Sequence, residues 1–204
     1  MISDPDPRWF PLINEFARNT PWLHPVMIGY ADYGIVVFAA LLLAGWWIAR
    51  RSDDLNVLAA AMWAPLGVLA AVAINQPIVA ALHVARPYGV LPDIVVLAHR
   101  GTDGSFPSDY AVLVGALAAG LWLVDRKLGT VAVIATAAMA FTRVYIAAEY
   151  IHDVLAGLIL GIAIGGAGFG AARPGLHWLL TRAERSRLMR PLLTAAHPIT
   201  PVSR

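Results

Sequence analysis

The 30 residues 56–85 contain no Asp, Glu, Lys or Arg. A helix crosses a bilayer core in about 20 residues, so this run is long enough to span one with turns to spare. Lipid cannot hydrogen-bond a peptide group, and the backbone of such a run must satisfy itself as a helix. Four more apolar runs follow the same logic, at 26–48, 107–124, 129–145 and 150–172. The chain is 59% hydrophobic and 14% charged, where a soluble domain carries about 25% charge. The expected architecture is an all-α integral membrane bundle of five transmembrane helices, preceded by an interfacial helix. Pro65, Gly67 and Pro77 are candidate kinks in the second span.

Three segments divide the chain. Residues 1–25 interleave Trp9, Phe10, Leu12, Ile13, Phe16 and Trp22 with Arg8, Asn14, Glu15 and Arg18. That pattern fits a helix lying at headgroup level. Residues 26–172 form the transmembrane domain. Residues 173–204 carry Arg182, Arg185, Arg187 and Arg190 among leucines and read as a basic amphipathic tail on the cytoplasmic surface, with disorder expected after His197. The first twenty residues lack a basic, then apolar, then small-residue order, so no cleaved signal peptide is expected. Gly157, Gly161 and Gly165 make a small-residue stripe, expected to pack within the protomer rather than between copies.

With no cysteine, the chain has neither a disulfide nor a thiolate metal site. A pI near 9.2 would suit nucleic acid. The basic residues, however, flank apolar spans, which suits anionic membrane lipids instead and argues against a nucleic-acid partner. In a five-span topology ten Lys and Arg fall on one side and five on the other. The richer side is then cytoplasmic. This places the connection 86–106 and the 142–153 stretch on the extracytoplasmic face, with the plasma (inner) membrane as the expected location.

The charges that remain near the spans are therefore informative, because ionisable groups at membrane depth are costly. Residues 142–153 hold Arg143, Glu149, His152 and Asp153. Arg86 and Arg143 offer forked donors suited to phosphate oxygens. Ser108, after Pro107, sits where a helix begins and free backbone N–H groups face an anion. Arg86, Ser108 and Arg143 together describe a site for a lipid phosphate or diphosphate. Structural ion pairs of the arginines with Asp103, Asp109 or Asp153 are the alternative.

Three segments carry a family resemblance. Residues 75–87, the run Gly104-Ser105-Phe106-Pro107-Ser108-Asp109-Tyr110, and residues 142–157 resemble the three signatures of the membrane type-2 phosphatidic acid phosphatase (PAP2) superfamily. The resemblance implies a helical phosphatase fold and a phosphohistidine mechanism. The family's patterns are Lys, six residues, Arg-Pro; Pro-Ser-Gly-His; and Ser-Arg, five residues, His, three residues, Asp. Arg86, Pro87, Pro107, Ser108, Asp109, Arg143 and Asp153 fall in register. Val79 falls on the lysine, Tyr110 on the acid histidine, Thr142 on the serine, and Glu149 on the nucleophilic histidine.

The resemblance thus implies a retained phosphate cradle with its usual nucleophile exchanged, and two chemistries remain open. In a rewired phosphatase, Glu149 could form an acyl phosphate if an arginine or a metal neutralised it. His152 would be a displaced nucleophile beside Asp153, and Tyr110 a donor in place of imidazole. In the other chemistry, Asp109, Glu149 and Asp153 bind Mg²⁺ and assist departure of diphosphate from a prenyl chain, as in prenyl transfer or terpene cyclisation. The reading is an enzyme on a prenyl or other lipid (di)phosphate. A catalytically inactive lipid-phosphate binder, carrier or partner subunit is the alternative.

Overall fold

A computed structural model describes residues 9–184. Among them are helices and no strand: α1 (Trp9–Asn19), α2 (His24–Ala49), α3 (Leu55–Leu82), α4 (Pro87–Val90), α5 (Asp109–Val124), α6 (Arg126–Tyr145) and α7 (Ile151–Glu184). A single 3-10 turn, Pro21–Leu23, joins α1 to α2. The expected all-α membrane architecture is what the chain adopts. Four helical stretches are long and apolar enough to cross a membrane: Pro21–Ala49, Leu55–Val90, Arg126–Tyr145 and Ile151–Ala183.

The remaining expected span is α5, which has only 16 residues. It is the hub of the bundle, packed chiefly against α7, α3 and α6. Val112, Val114, Ala116, Leu117 and Leu121 are buried there. Buried by protein on most sides, α5 needs no long lipid-facing stripe. The other long helices show their apolar side chains outward, as Val36, Leu69, Ile134 and Ile159 do.

The glycine stripe explains how α7 approaches α5 so closely. A Cβ on Gly157 would sit 2.6 Å from the Ser108 carbonyl oxygen, and Gly161 and Gly165 meet the α5 backbone in the same way. The stripe is spent within the protomer, as expected. One boundary moves. Helix α7 does not stop at 172 but continues through Pro174, burying Leu176 and Leu180 against Leu58 and Ala61 of α3. The rest of the expected tail, with Arg185, Arg187 and Arg190, lies outside the described residues.

Side-chain caps set the helix starts. Asp54 Oδ1 accepts from Asn56 N at 2.8 Å, Asp125 Oδ1 from Leu128 N at 2.8 Å, and Ser108 Oγ from Ala111 N at 3.0 Å. The hydrogen bond from Asn56 N holds the Asp54 carboxyl below its ordinary pKa. Helix α3 continues through Pro65 and Pro77 and ends at His83, which is left-handed (φ 44°). Within residues 1–25 a helix forms as α1, and it docks on the body. Phe10 and Ala17 are buried, while Trp9, Leu12 and Phe16 stay exposed. Buried Asn14 donates to the Val95 carbonyl at 2.8 Å and accepts from Val95 N at 3.0 Å.

Candidate active site

At one end of the bundle, α3 finishes, α5 and α7 begin, and α6 turns into α7. The connection 91–108 folds over that end. Leu97 N and Ala98 N both donate to the Ile146 carbonyl, at 3.1 and 3.0 Å. Ser108 N donates to the Asp153 carbonyl at 3.0 Å. These bonds tie segments that lie tens of residues apart in sequence.

The turn between α6 and α7 delivers Glu149. Ile146 N closes the last turn of α6 onto Thr142, and Ala147 adopts a left-handed conformation (φ 60°), which reverses the chain. Tyr150 and Asp153 then open α7: Asp153 Oδ2 accepts from Tyr150 N at 2.9 Å, the return half of a capping box. Asp153 is fully buried, and its Oδ1 lies 3.1 Å from His152 Nε2. The His152 ring stacks beside Phe106 and Tyr150, with centroids at 5.8 and 5.3 Å.

Glu149 is only 1% exposed. Its Oε1 accepts from Arg143 Nε at 3.2 Å and from Arg143 Nη2 at 2.9 Å, and lies 3.6 Å from Arg86 Nη1. Two guanidinium groups, Arg143 from the last turn of α6 and Arg86 from the extended residue before α4, thus converge on one carboxylate oxygen. The other oxygen, Oε2, has no hydrogen-bond partner among the described residues. Arg86 is also fixed by the Ala148 carbonyl at 3.0 Å and by Asp103 Oδ2 at 2.8 Å. Partial burial pushes the Asp103 carboxyl up, but the hydrogen bond and charge of Arg86 outweigh it and hold its pKa below the ordinary value. Arg143 lies over the Tyr110 ring, 4.2 Å from its centroid.

Arg86, Arg143 and Tyr110 line a cavity of about 220 Å³, together with Asp32 of α2, Tyr88 of α4 and His99, Gly101 and Asp103 of the connection. The candidate residues therefore divide. Arg86, Arg143, Glu149 and Tyr110 meet at the cavity and its inner wall. Ser108 and Asp153 sit behind it, one capping α5 and the other α7. His152 is held against Asp153 and is not among the cavity's lining residues. Asp109 turns toward α3, where its Oδ1 accepts from Asn75 Nδ2 at 2.7 Å and Gln76 Nε2 at 3.0 Å.

The alternative of arginine ion pairs is realised in part and with a different partner. Asp103 does pair with Arg86, but Glu149, rather than Asp109 or Asp153, is the shared carboxylate. The expected three-carboxylate metal group does not assemble. Among the described residues no three His, Asp or Glu side chains are placed to hold a metal ion. The physical reason is that Asp109, Glu149 and Asp153 are each engaged elsewhere, with an amide pair, two arginines and a helix start respectively.

Residues 60–174 match the PAP2 superfamily. This chain belongs to that superfamily. It is 29% identical to the undecaprenyl-diphosphatase BcrC of Bacillus subtilis (strain 168) over 156 residues, covering 76% of this chain and 78% of the relative. It is 27% identical to the bacitracin transport permease protein BcrC of Bacillus licheniformis over 154 residues, covering 75% and 73%. No solved structure matches. The buried Val79 has its Cγ1 3.3 Å from where a Gly104 Cβ would lie.

Proposed function

We propose that this chain binds the headgroup of a prenyl or other lipid phosphate or diphosphate in the Arg86–Arg143 cavity and processes it as a phosphatase-like enzyme. The observation that carries the reading is the convergence of both arginines on one oxyanion beside an open cavity. Glu149 Oε1 stands where a phosphate oxygen would stand. The relative described as an undecaprenyl-diphosphatase supports a lipid diphosphate as the substrate class. The uneven Lys and Arg distribution supports a site on the extracytoplasmic side of the cell membrane.

Glu149 needs its charge balanced before it can approach a phosphate, and the two arginines supply that balance. In this route the headgroup oxygens take over the arginine donors. Glu149 Oε2, which has no hydrogen-bond partner among the described residues, supplies the electron pair to phosphorus. The bond from phosphorus to the leaving oxygen breaks, and that oxygen takes a proton from Tyr110 or from water. Water then cleaves the acyl phosphate and restores the carboxylate. Arg86 and Arg143 stabilise the charge on the transferring group throughout.

A second reading is favoured by one observation: Glu149 is buried and bound by both arginines, as a purely structural counter-ion would be. The chain is then a lipid-phosphate binder, carrier or partner subunit without turnover. One experiment separates the readings. Purified protein is incubated with undecaprenyl and farnesyl diphosphates and with phosphatidic acid, with and without EDTA, and the lipid products are identified by mass spectrometry. Release of phosphate supports the phosphatase reading. Release of diphosphate with a new alcohol or hydrocarbon shows ionisation at carbon. An unchanged lipid that protects the protein thermally shows a binder. An unchanged lipid with no protection defeats both readings.

A further inference from the structure

Helix α1 has three faces, and the packing of the chain occupies only one of them. At 3.6 residues per turn, Phe10, Asn14 and Ala17 fall on one side and are buried against the body. Trp9, Leu12 and Phe16 share a second side, about a third of a turn away, and stay exposed, Trp9 at 64% and Leu12 at 59%. Glu15, Arg18 and Asn19 share the third side and are exposed as well. A helix docked on a protein in water needs an apolar face and a polar one. A second apolar face fits a helix placed where protein, lipid and water meet.

The position of α1 agrees. The Phe16 ring packs on Phe141 and Tyr145, with centroids at 6.4 and 6.0 Å. Both lie in the last turns of α6, a helix long and apolar enough to cross a membrane, and Phe141 is itself exposed. The free apolar face of α1 is thus continuous with the lipid-facing surface of α6, at the end where that helix stops. The 3-10 turn after α1 adds exposed Trp22, a residue type suited to headgroup level. The only charges on α1, Glu15 and Arg18, cancel. Apolar contact, rather than attraction to anionic headgroups, is what this face offers. The buried face meanwhile ties α1 to the connection that walls the cavity. Asn14 engages both backbone groups of Val95, and Arg18 Nη2 donates to the Asp93 carbonyl. The same connection supplies His99, Gly101 and Asp103 to the cavity lining.

We propose that the Trp9–Leu12–Phe16 face of α1 is seated in the lipid surface at the cavity end of the bundle, and that the bilayer, through α1, clamps the connection that walls the cavity. The partner is the boundary between headgroups and acyl chains, whatever the headgroup charge. The inference is independent of what the cavity binds.

The chain has no cysteine, so a nitroxide label can be attached at one introduced thiol. The test uses the full chain reconstituted into phosphatidylcholine vesicles, with and without added phosphatidylglycerol. Leu12→Cys and Glu15→Cys are both at exposed positions on α1. Collisions of each label with oxygen, which concentrates among acyl chains, and with a water-soluble nickel chelate report its surroundings. The oxygen-to-nickel ratio is expected to be several-fold higher at Leu12 than at Glu15, and equally so in both vesicle types. Nickel-dominated collisions at both positions would put the face in water. Protection of Leu12 from both reagents would put it against a second copy of the chain. A contrast seen only with phosphatidylglycerol would make headgroup charge the partner. Each of these three results overturns the inference. The clamp is read from a label at Thr102→Cys, an exposed position between the cavity residues Gly101 and Asp103. Adding Leu12→Glu should make that label more mobile in vesicles, while Glu15→Gln should leave it unchanged. An unchanged Thr102 label beside Leu12→Glu overturns the clamp.

Discussion

Glu149 is the residue whose surroundings decide most. Its carboxylate occupies the donors of Arg143 and lies within reach of Arg86, so any phosphate must compete with it. Glu149→Gln removes the competing charge. It also leaves two arginines less compensated, and breaking a buried pair costs about 3–5 kcal/mol. The variant is therefore expected to melt earlier without ligand, yet to gain more thermal stabilisation from added phosphate than the parent does. Turnover, if Glu149 is the nucleophile, disappears. A phosphate-induced shift no larger than the parent's would mean that the arginine–glutamate pair is not where anions bind. Asp103 offers a second test at this scale. Arg86 lowers its folded pKa, so its contribution to stability is complete above the ordinary value of 3.8 and is lost as pH falls below that through the folded value. Melting temperatures measured across that acid window should fall less steeply in Asp103→Asn than in the parent.

At the scale of elements, two contacts hold the site together. Asn14 on α1 satisfies both backbone groups of Val95, in the connection that roofs the cavity. Asn14→Ala leaves the half-buried N–H and C=O of Val95 without their side-chain partners, each costing at most about 1–3 kcal/mol. A lowered melting temperature and faster proteolysis within residues 91–104 are expected. Unchanged cleavage there would show that α1 does not secure the connection. The second contact is the seam of α7 on α5. Gly161→Ala puts a methyl group against the Val112 backbone, and overpacking of this kind costs about 1–3 kcal/mol. The same substitution at Gly166, where nothing lies within 4 Å, should be neutral. What was legible in the sequence follows this division. Helices were legible because lipid permits little else, and Arg86 and Arg143 because charge beside an apolar span is rare. The shared partner was not, since Arg86 and Glu149 are distant in sequence and only the left-handed turn at Ala147 brings them together. Asp32 and His99 were visible as residues, but no local pattern says that α2 and the 91–108 connection wall one cavity. Asp109, expected at the site, is instead held by Asn75 and Gln76, a pairing between two helices that spacing within either cannot reveal.

The whole molecule puts all of its site chemistry at one end. Arg86, Tyr110, Arg143 and Glu149 cluster there, roofed by the connection. Arg50, Arg51, Arg126 and Lys127 mark the other end, where α2 gives way to α3 and α5 to α6. Positive loops are retained on the cytoplasmic side, so the site end faces outward if α5, at 16 residues, crosses together with the four longer helices. The short α5 makes that condition worth testing directly. If α5 did not count as a crossing, the Arg126–Lys127 turn and the cavity would fall on the same side. The chain contains no cysteine, which makes a single introduced thiol an unambiguous reporter. His99→Cys at the cavity rim and Lys127→Cys at the α5–α6 turn are both at exposed positions. In intact cells, a membrane-impermeant maleimide should label the first and spare the second until the membrane is opened. Labelling of both from outside would show that α5 does not carry the chain across. Labelling of Lys127→Cys alone would invert the topology and place the headgroup site on the cytoplasmic face, where it would meet a different pool of lipid phosphates.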